Sequence, residues 1–288
     1  MDMLRFLVSG LSRLPLGVHY WFADWILYPV MYYIVRYRRN MTKHNLALAF
    51  PEKTEKERRQ IAKDFYHHFC NTIAESIYGY RMSDEEMRQR VVLENMDEVN
   101  KLIDAAGGGI FMLAHLGNWE WLASVQQWLS EGVTELNVYR QLKNKGMDKL
   151  MLAIRAKRGG ECVEKRQLLR ELVQYKAKKQ PVTVGLIADQ KPRKEVTRTW
   201  VKFLNQEIGF LDGGEVIAKK FGFPVFYAYT TRTKRGYYHV DVQLITDRPE
   251  KTKEGEITET YAHKLEANIK EQPALWLWTH NRFKWCKV

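Results

Sequence analysis

Between residues 91 and 246 the chain alternates short apolar runs with amphipathic stretches, and few architectures accept that order. The apolar runs are "VVLEN", "GIFMLAH", "TELNVYR", "PVTVGLIAD" and "TWVKFL". Between them stand "WEWLASVQQWL", "MDKLMLAIRAKRG", "RQLLRELVQYKAKK" and "DGGEVIAKKFG", which read as helices. Parallel strands need a crossover, and a helix supplies it, so the alternation predicts a mainly parallel sheet covered by helices. "PVFYAYTTRT" and "YYHVDVQLI" read instead as a hairpin turning at Arg235 and Gly236. The expected fold class is α/β, a layered fold around a mainly parallel mixed sheet flanked by helices, with a membrane-associated helix at the N-terminus.

Local signals fill in the ends. "TEKERRQIAKDFYHHFCNTIAESIYGY" opens on a capping box, Thr54 and Glu57, and carries Ile61, Phe65, Phe69 and Ile73 at helical spacing. Ser83 and Glu86 form a second box, and a helix through Ala105 stops at a glycine run. "TETYAHKLEANIKEQP" is the last predicted helix. His67 and His68 are adjacent, so they do not share a helix face and make a poor ligand pair.

Residues 14–35, "LPLGVHYWFADWILYPVMYYIV", are about long enough to cross a bilayer. Pro15, Pro29, His19 and Asp24 make the stretch a poor standard span, while its Trp and Tyr favour the membrane interface. No small-residue cleavage site follows, so it is not a good secretory signal. "RYRR" comes next, and Arg36, Arg38 and Arg39 there would face the cytoplasm and attract anionic lipid. The reading is a membrane anchor, spanning or interfacial, over residues 1–40, and one cytoplasmic domain over residues 41–288. The alternative is an amphipathic helix packed on the protein's own core.

The formal charge of +12 calls for an anionic partner: nucleic acid, an anionic membrane, a phosphorylated substrate or an acidic protein. The basic residues are dispersed and no nucleic-acid module is present, so nucleic acid is set aside. Cys70, Cys162 and Cys286 show neither a disulfide framework nor a metal spacing. No metal and no cofactor is implied.

The chemistry gathers in "GGGIFMLAHLGNWEW", residues 107–121. His115 and Glu120 are separated by four residues, but spacing alone proves little. With 8 histidines and 34 acidic residues in 288, chance supplies about one such pair, and His19 with Asp24 is another. Position separates them, since His115 stands where a strand hands over to a helix, the usual place for functional residues in α/β sheets. A histidine there suits a general base, and Glu120 could hold its tautomer. Asn118 can cap the following helix and is also a candidate substrate contact. No Ser or Cys elbow stands near, so the acceptor's own hydroxyl is the expected nucleophile. Other strand ends place Arg140 and the cluster Asp189, Gln190 and Lys191 as candidate substrate-binding residues. A basic segment follows, with Arg193, Lys194, Arg198 and Lys202 suited to phosphate or to solvent.

Taken together these motifs resemble the lipid A branch of the glycerolipid and lipid A acyltransferase superfamily. "HLGNWE" resembles its His-x4-acid motif, and "RYRRNMTKHNLALAFP", "VYRQLKNKGMDKL", "IADQKP" and "WTHNRFK" follow in the family's order. The chain departs from the pattern at Gln141, where Pro is common, and at Asn205, where Gly is common. An "EGTR"-like block typical of lysophosphatidate enzymes is absent. The resemblance implies an O-acyltransferase at the cytoplasmic face of a bacterial inner membrane. His115 would deprotonate a hydroxyl on a lipid A precursor, Glu120 would orient it, and the alkoxide would attack an acyl thioester. The donor would be acyl carrier protein or coenzyme A. Arg140 and Asp189 to Lys191 would bind acceptor phosphates or support the oxyanion, and Arg282 in the last motif is a further candidate substrate contact. Another lipid acceptor (a lysophospholipid, glycolipid or aminolipid) is the rival within the superfamily.

Overall fold

The computed structural model describes residues 8–287. In chain order its strands are β1 (Val91–Glu94), β2 (Gly108–Leu113), β3 (Thr134–Tyr139), β4 (Glu161–Glu164) and β5 (Val182–Ile187), then β6 (Thr199–Phe203), β7 (Gln206–Phe210), β8 (Val225–Lys234), β9 (Tyr237–Thr246) and β10 (Cys286–Lys287). The helices are α1 (Leu16–Phe22), α2 (Arg39–Ala49), α3 (Glu55–Gly79), α4 (Asp84–Arg90), α5 (Met96–Ala106), α6 (Lys145–Ala156), α7 (Leu168–Ala177), α8 (Gly213–Phe221) and α9 (Glu256–Glu271).

Seven strands form the main sheet in the order β1-β9-β8-β2-β5-β3-β4. Only the β8–β9 hairpin is antiparallel within it; every other pair is parallel. The expected mixed, mainly parallel sheet is therefore present. A small antiparallel sheet, β10-β7-β6, sits beside it. Central β2 is sealed on both faces, with Ile110, Phe111 and Met112 all at most 2 % exposed. A strand covered on both sides reads as a continuous apolar run, which is what "GIFML" is. Burying each such side chain contributes about 1.5–3 kcal/mol. Gly107 closes α5 in the left-handed region (φ 69), so the glycine run ends one element and lets the next begin.

Differences from the sequence reading are local. "WEWLASVQQWL" forms a 3₁₀ helix over Trp121–Trp128, an unusually long run of that tighter winding. The short strands β4 and β7 and the helix α2 carry weak patterns and were not anticipated. Both capping signals are real: Glu57 N donates to Thr54 Oγ1 at 3.3 Å, and Glu86 N to Ser83 Oγ at 3.1 Å. Only the first is reciprocal, because Glu86 turns its carboxylate to Tyr78 and Arg90.

The N-terminal segment is one helical run in which α1 passes into π-helical turns, Ala23–Leu27 and Val30–Ile34. Its buried residues, Leu16, His19, Ala23, Tyr28 and Tyr32, widen in spacing where the turns widen. Ala23, Tyr28 and Tyr32 join the main core, and Tyr28 stacks on His67 of α3. The opposite side is left open, with Trp21, Trp25, Ile34 and Val35 at 56, 71, 73 and 61 % exposure. No helix among the described residues is long and apolar enough to cross a membrane. Residues 1–7 of the expected anchor lie outside the described residues. Asp24 and His19 do not pair: Asp24 binds Arg235 at the hairpin turn (2.7 Å), and His19 packs edge-on against Tyr78.

Candidate active site

Strands β2 and β5 run in register, Leu113 opposite Ile187. The residues that leave them therefore emerge side by side at the carboxyl edge of the sheet. Those residues are His115 and Asp189. His115 Nδ1 lies 2.7 Å from Asp189 Oδ1, and the His115 backbone N–H donates to Oδ2 at 3.0 Å. Trp276 Nε1 donates to the same Oδ2 at 2.9 Å. Asp189 is thus held at both oxygens and 3 % exposed. The His115 side chain keeps 16 % exposure, so one edge of the ring faces outward.

The segment after α9 acts as a strap over this pair. Leu277 N donates to His115 O (3.0 Å), and Gly117 N to Leu275 O (3.1 Å). From the other side α3 fixes the loop that follows His115. His68 bonds Gly117 O at 3.1 Å, and burial pushes its pKa down to about 3, so it is neutral. Glu75 accepts from Asn118 Nδ2 (2.8 Å), Tyr238 (2.8 Å) and Tyr20 (2.9 Å). Gly117 itself sits at φ 63 with Thr230 Cγ2 only 2.9 Å from where a Cβ would be, so any side chain there is strained and crowded.

Burial of His115 disfavours the imidazolium, but the charge and hydrogen bond of Asp189 outweigh it and raise the histidine. Burial alone would raise Asp189, and His115 with the Trp276 bond brings it below the usual carboxylate range instead. With Nδ1–H donated to the carboxylate, the Nε2 lone pair points out of the pair. Gln190 Nε2 approaches it at 3.4 Å.

Glu120, expected to orient His115, makes its hydrogen bonds elsewhere in this structure. Glu120 is gripped by Arg155, Nε and Nη2 each donating at 2.8 Å, and accepts from Trp119 Nε1 at 3.1 Å. Its carboxylate reaches His115 only as a charge, which adds to the upward shift. Asp189, expected among substrate contacts, is the hydrogen-bonding partner. Asn118 is buried and spends its amide on Glu75 and on Trp121 N (3.2 Å), the capping role expected of it. Arg282 is 2 % exposed, donates Nη1 to Gly209 O at 2.9 Å and lies 4.3 Å over Phe210. Its Nε and Nη2 are buried without a hydrogen-bond partner. Arg140, exposed at the end of β3, lies two strands from His115, about 10 Å across the sheet. Lys191 sits 5.4 Å over the Trp285 ring.

Trp276 and Arg155 escaped the sequence reading because their partners are distant in the chain. His280 did so too; burial pushes its pKa down to about 4, and it interacts electrostatically with Asp189 and His115.

The family model for bacterial lipid A biosynthesis acyltransferases matches residues 26–285. The chain belongs to that family. The match spans the paired His115 and Asp189, the Glu120–Arg155 ion pair and the strap, so the candidate site lies wholly within the family region. Among curated proteins none matches the chain significantly. Family membership makes it an acyltransferase of lipid A biosynthesis, as the motif order implied.

Proposed function

We propose that this acyltransferase moves a fatty acyl chain from a thioester to a hydroxyl of a lipid A precursor by direct transfer, with His115 as general base. The observation that carries the reading is the His115–Asp189–Trp276 constellation at the open edge of the sheet. His115 Nε2 takes the hydroxyl proton as the oxygen attacks the thioester carbonyl. The imidazolium then returns that proton to the departing thiol. Asp189 stabilises the imidazolium formed between the two steps and fixes the ring. The adjacent charge of Glu120 is kept in place by Arg155. Acyl carrier protein is the favoured donor, since the +12 chain suits an acidic partner; coenzyme A is the alternative.

The exposed aromatic face of residues 21–35 supports contact with the interface of the bacterial inner membrane on its cytoplasmic side. Trp25 and Ile34, at 71 and 73 % exposure, are large apolar side chains that water does not favour.

The test is mass spectrometry of products from the full chain, acyl carrier protein thioester and a lipid A precursor. His115→Gln should lose about 10²- to 10⁴-fold in kcat with the fold intact. Full activity in that variant would overturn the mechanism. A native protein that acylates only a lysophospholipid or aminolipid would overturn the acceptor.

A further inference from the structure

Between Val35 and α2 the chain turns on left-handed backbone at Arg36 (φ 51) and Arg38 (φ 49). That conformation costs energy for any residue with a side chain. The turn gathers Arg36, Arg38, Arg39 and Lys43, with Asn40 and Met41, around one basin of about 450 Å³. Four cations line it and no carboxylate does. Like charges held around a cavity repel one another, and an anion relieves that repulsion.

Two contacts place the basin beside the reacting pair. Arg38 Nη1 donates to Thr279 O at 3.1 Å. Thr279 is two residues along the strap from Leu277, whose N–H holds His115 O. Leu277 to His280 form a turn, His280 N donating to Leu277 O at 3.4 Å, so only a short piece of backbone and one arginine side chain separate the basin from the His115 loop. Along the chain the basin's residues follow directly on Tyr33, Ile34 and Val35, which are 52, 73 and 61 % exposed. An anion in the basin would therefore have apolar surface next to it for acyl chains.

We infer that the basin binds a phosphate monoester of the lipid acceptor and so sets the acyl hydroxyl in register with His115. This rests on the phosphorylated lipid acceptor of the proposed function. A monoester carries a charge near −2 at neutral pH and three acceptor oxygens. Arg36 and Arg39 each spend one donor on a carbonyl, Tyr33 O and Tyr32 O, both at 3.4 Å; four cations lining one basin still match that charge better than they match a phosphodiester with one charge. Arginine forks suit such oxygens, and Lys43 adds a point charge.

The experiment uses the full chain in detergent, with a lipid A precursor bearing its phosphate monoesters and the same precursor after phosphatase treatment. Arg36→Asn with Lys43→Gln removes two charges; Asn accepts left-handed backbone, so the turn should survive. The acceptor KM of the double variant should rise at least about tenfold on the phosphorylated lipid, with kcat nearly constant. On the dephosphorylated lipid, native and variant should share one KM. Lys43→Arg should keep the native KM. Equal losses on both lipids, or no loss on either, would overturn the inference. So would a defect confined to sedimentation with phosphatidylglycerol vesicles, which would make the basin a general membrane contact. Should the double variant melt early, Lys43→Gln alone decides. Absence of transfer by the native protein on either precursor would defeat the acceptor reading itself, a separate outcome.

Discussion

Asp189→Asn separates the pairing seen in the structure from the one the motif suggests. Asn has one acceptor and one donor end, whereas Asp189 accepts at both oxygens from His115 Nδ1, His115 N and Trp276 Nε1. Turned one way, its oxygen keeps the bonds from His115 N and Trp276, and its NH₂ faces Nδ1. Turned the other way, the NH₂ opposes two N–H donors, which leaves buried donors unsatisfied at about 1–3 kcal/mol each. The first orientation therefore wins by at least about 2 kcal/mol. It forces the proton onto Nε2, the tautomer that cannot act as a base toward solvent. Losing the carboxylate's bond to the imidazolium removes about 1.5–3 kcal/mol more. The sum, about 3–5 kcal/mol, is a fall of roughly 10²- to 10⁴-fold in kcat.

Steady-state rates across pH give a second readout. Asp189 raises His115, so native activity should climb with pH through a value above 6.5. Without the carboxylate, burial remains and drives that limb to lower pH. The stability sign follows from the same shifts. The raised histidine stabilises the fold below 6.5 and loses that contribution as pH rises through its folded value. The lowered aspartate stabilises it above 3.8 and loses that as pH falls. Asp189→Asn should therefore cost most melting temperature between these limits, and less in alkali. An Asp189→Asn enzyme within threefold of native, beside a Glu120→Gln enzyme that is dead with an unshifted limb, would refute the assignment.

Two other perturbations test neighbouring features. Trp276→Phe keeps the ring packing on Trp278 (4.7 Å) and Phe203 (5.9 Å) but deletes the bond to Asp189; kcat should fall about tenfold with both KM values held. A variant whose melting temperature drops while kcat stays native would make Trp276 a packing residue only. Glu135 is fully buried, bonded by Thr183 Oγ1, and burial raises its pKa to about 8. The native state then holds a proton that the unfolded chain releases near 4.5, so denaturant-derived stability should decline by several kcal/mol as pH climbs from 5 toward 9. Glu135→Gln should flatten that decline; an equally steep fall in the variant would show the glutamate to be uninvolved.

The parallel sheet was legible because it is written locally. Each strand in "GIFMLAH" or "PVTVGLIAD" is apolar on both faces, and each crossover carries helical spacing. His115 was legible for the same reason, as the first polar residue past such a strand. Its partner was not, because partnership depends on strand order. Asp189 is 74 residues from His115 and comes within 2.7 Å only because β5 inserts beside β2 in parallel register. Nothing in the periodicity of either segment states that adjacency. Glu120 was favoured by closeness in sequence, yet the tight 3₁₀ turn after Asn118 leaves it to Arg155 of α6.

The same physics explains why the strap stayed hidden. "WLWTH" shows neither strand nor helix spacing, since its work is done by backbone groups: Leu277 N on His115 O and Leu275 O on Gly117 N. Irregular backbone can lie over a site only if its polar groups find partners there. Here the partners are the loop that carries His115. Any movement of the strap must therefore break bonds to His115 and Gly117 and carry Trp276 away from Asp189 at once. The orientation of His115 is in this way tied to the packing of a segment some 160 residues further along the chain.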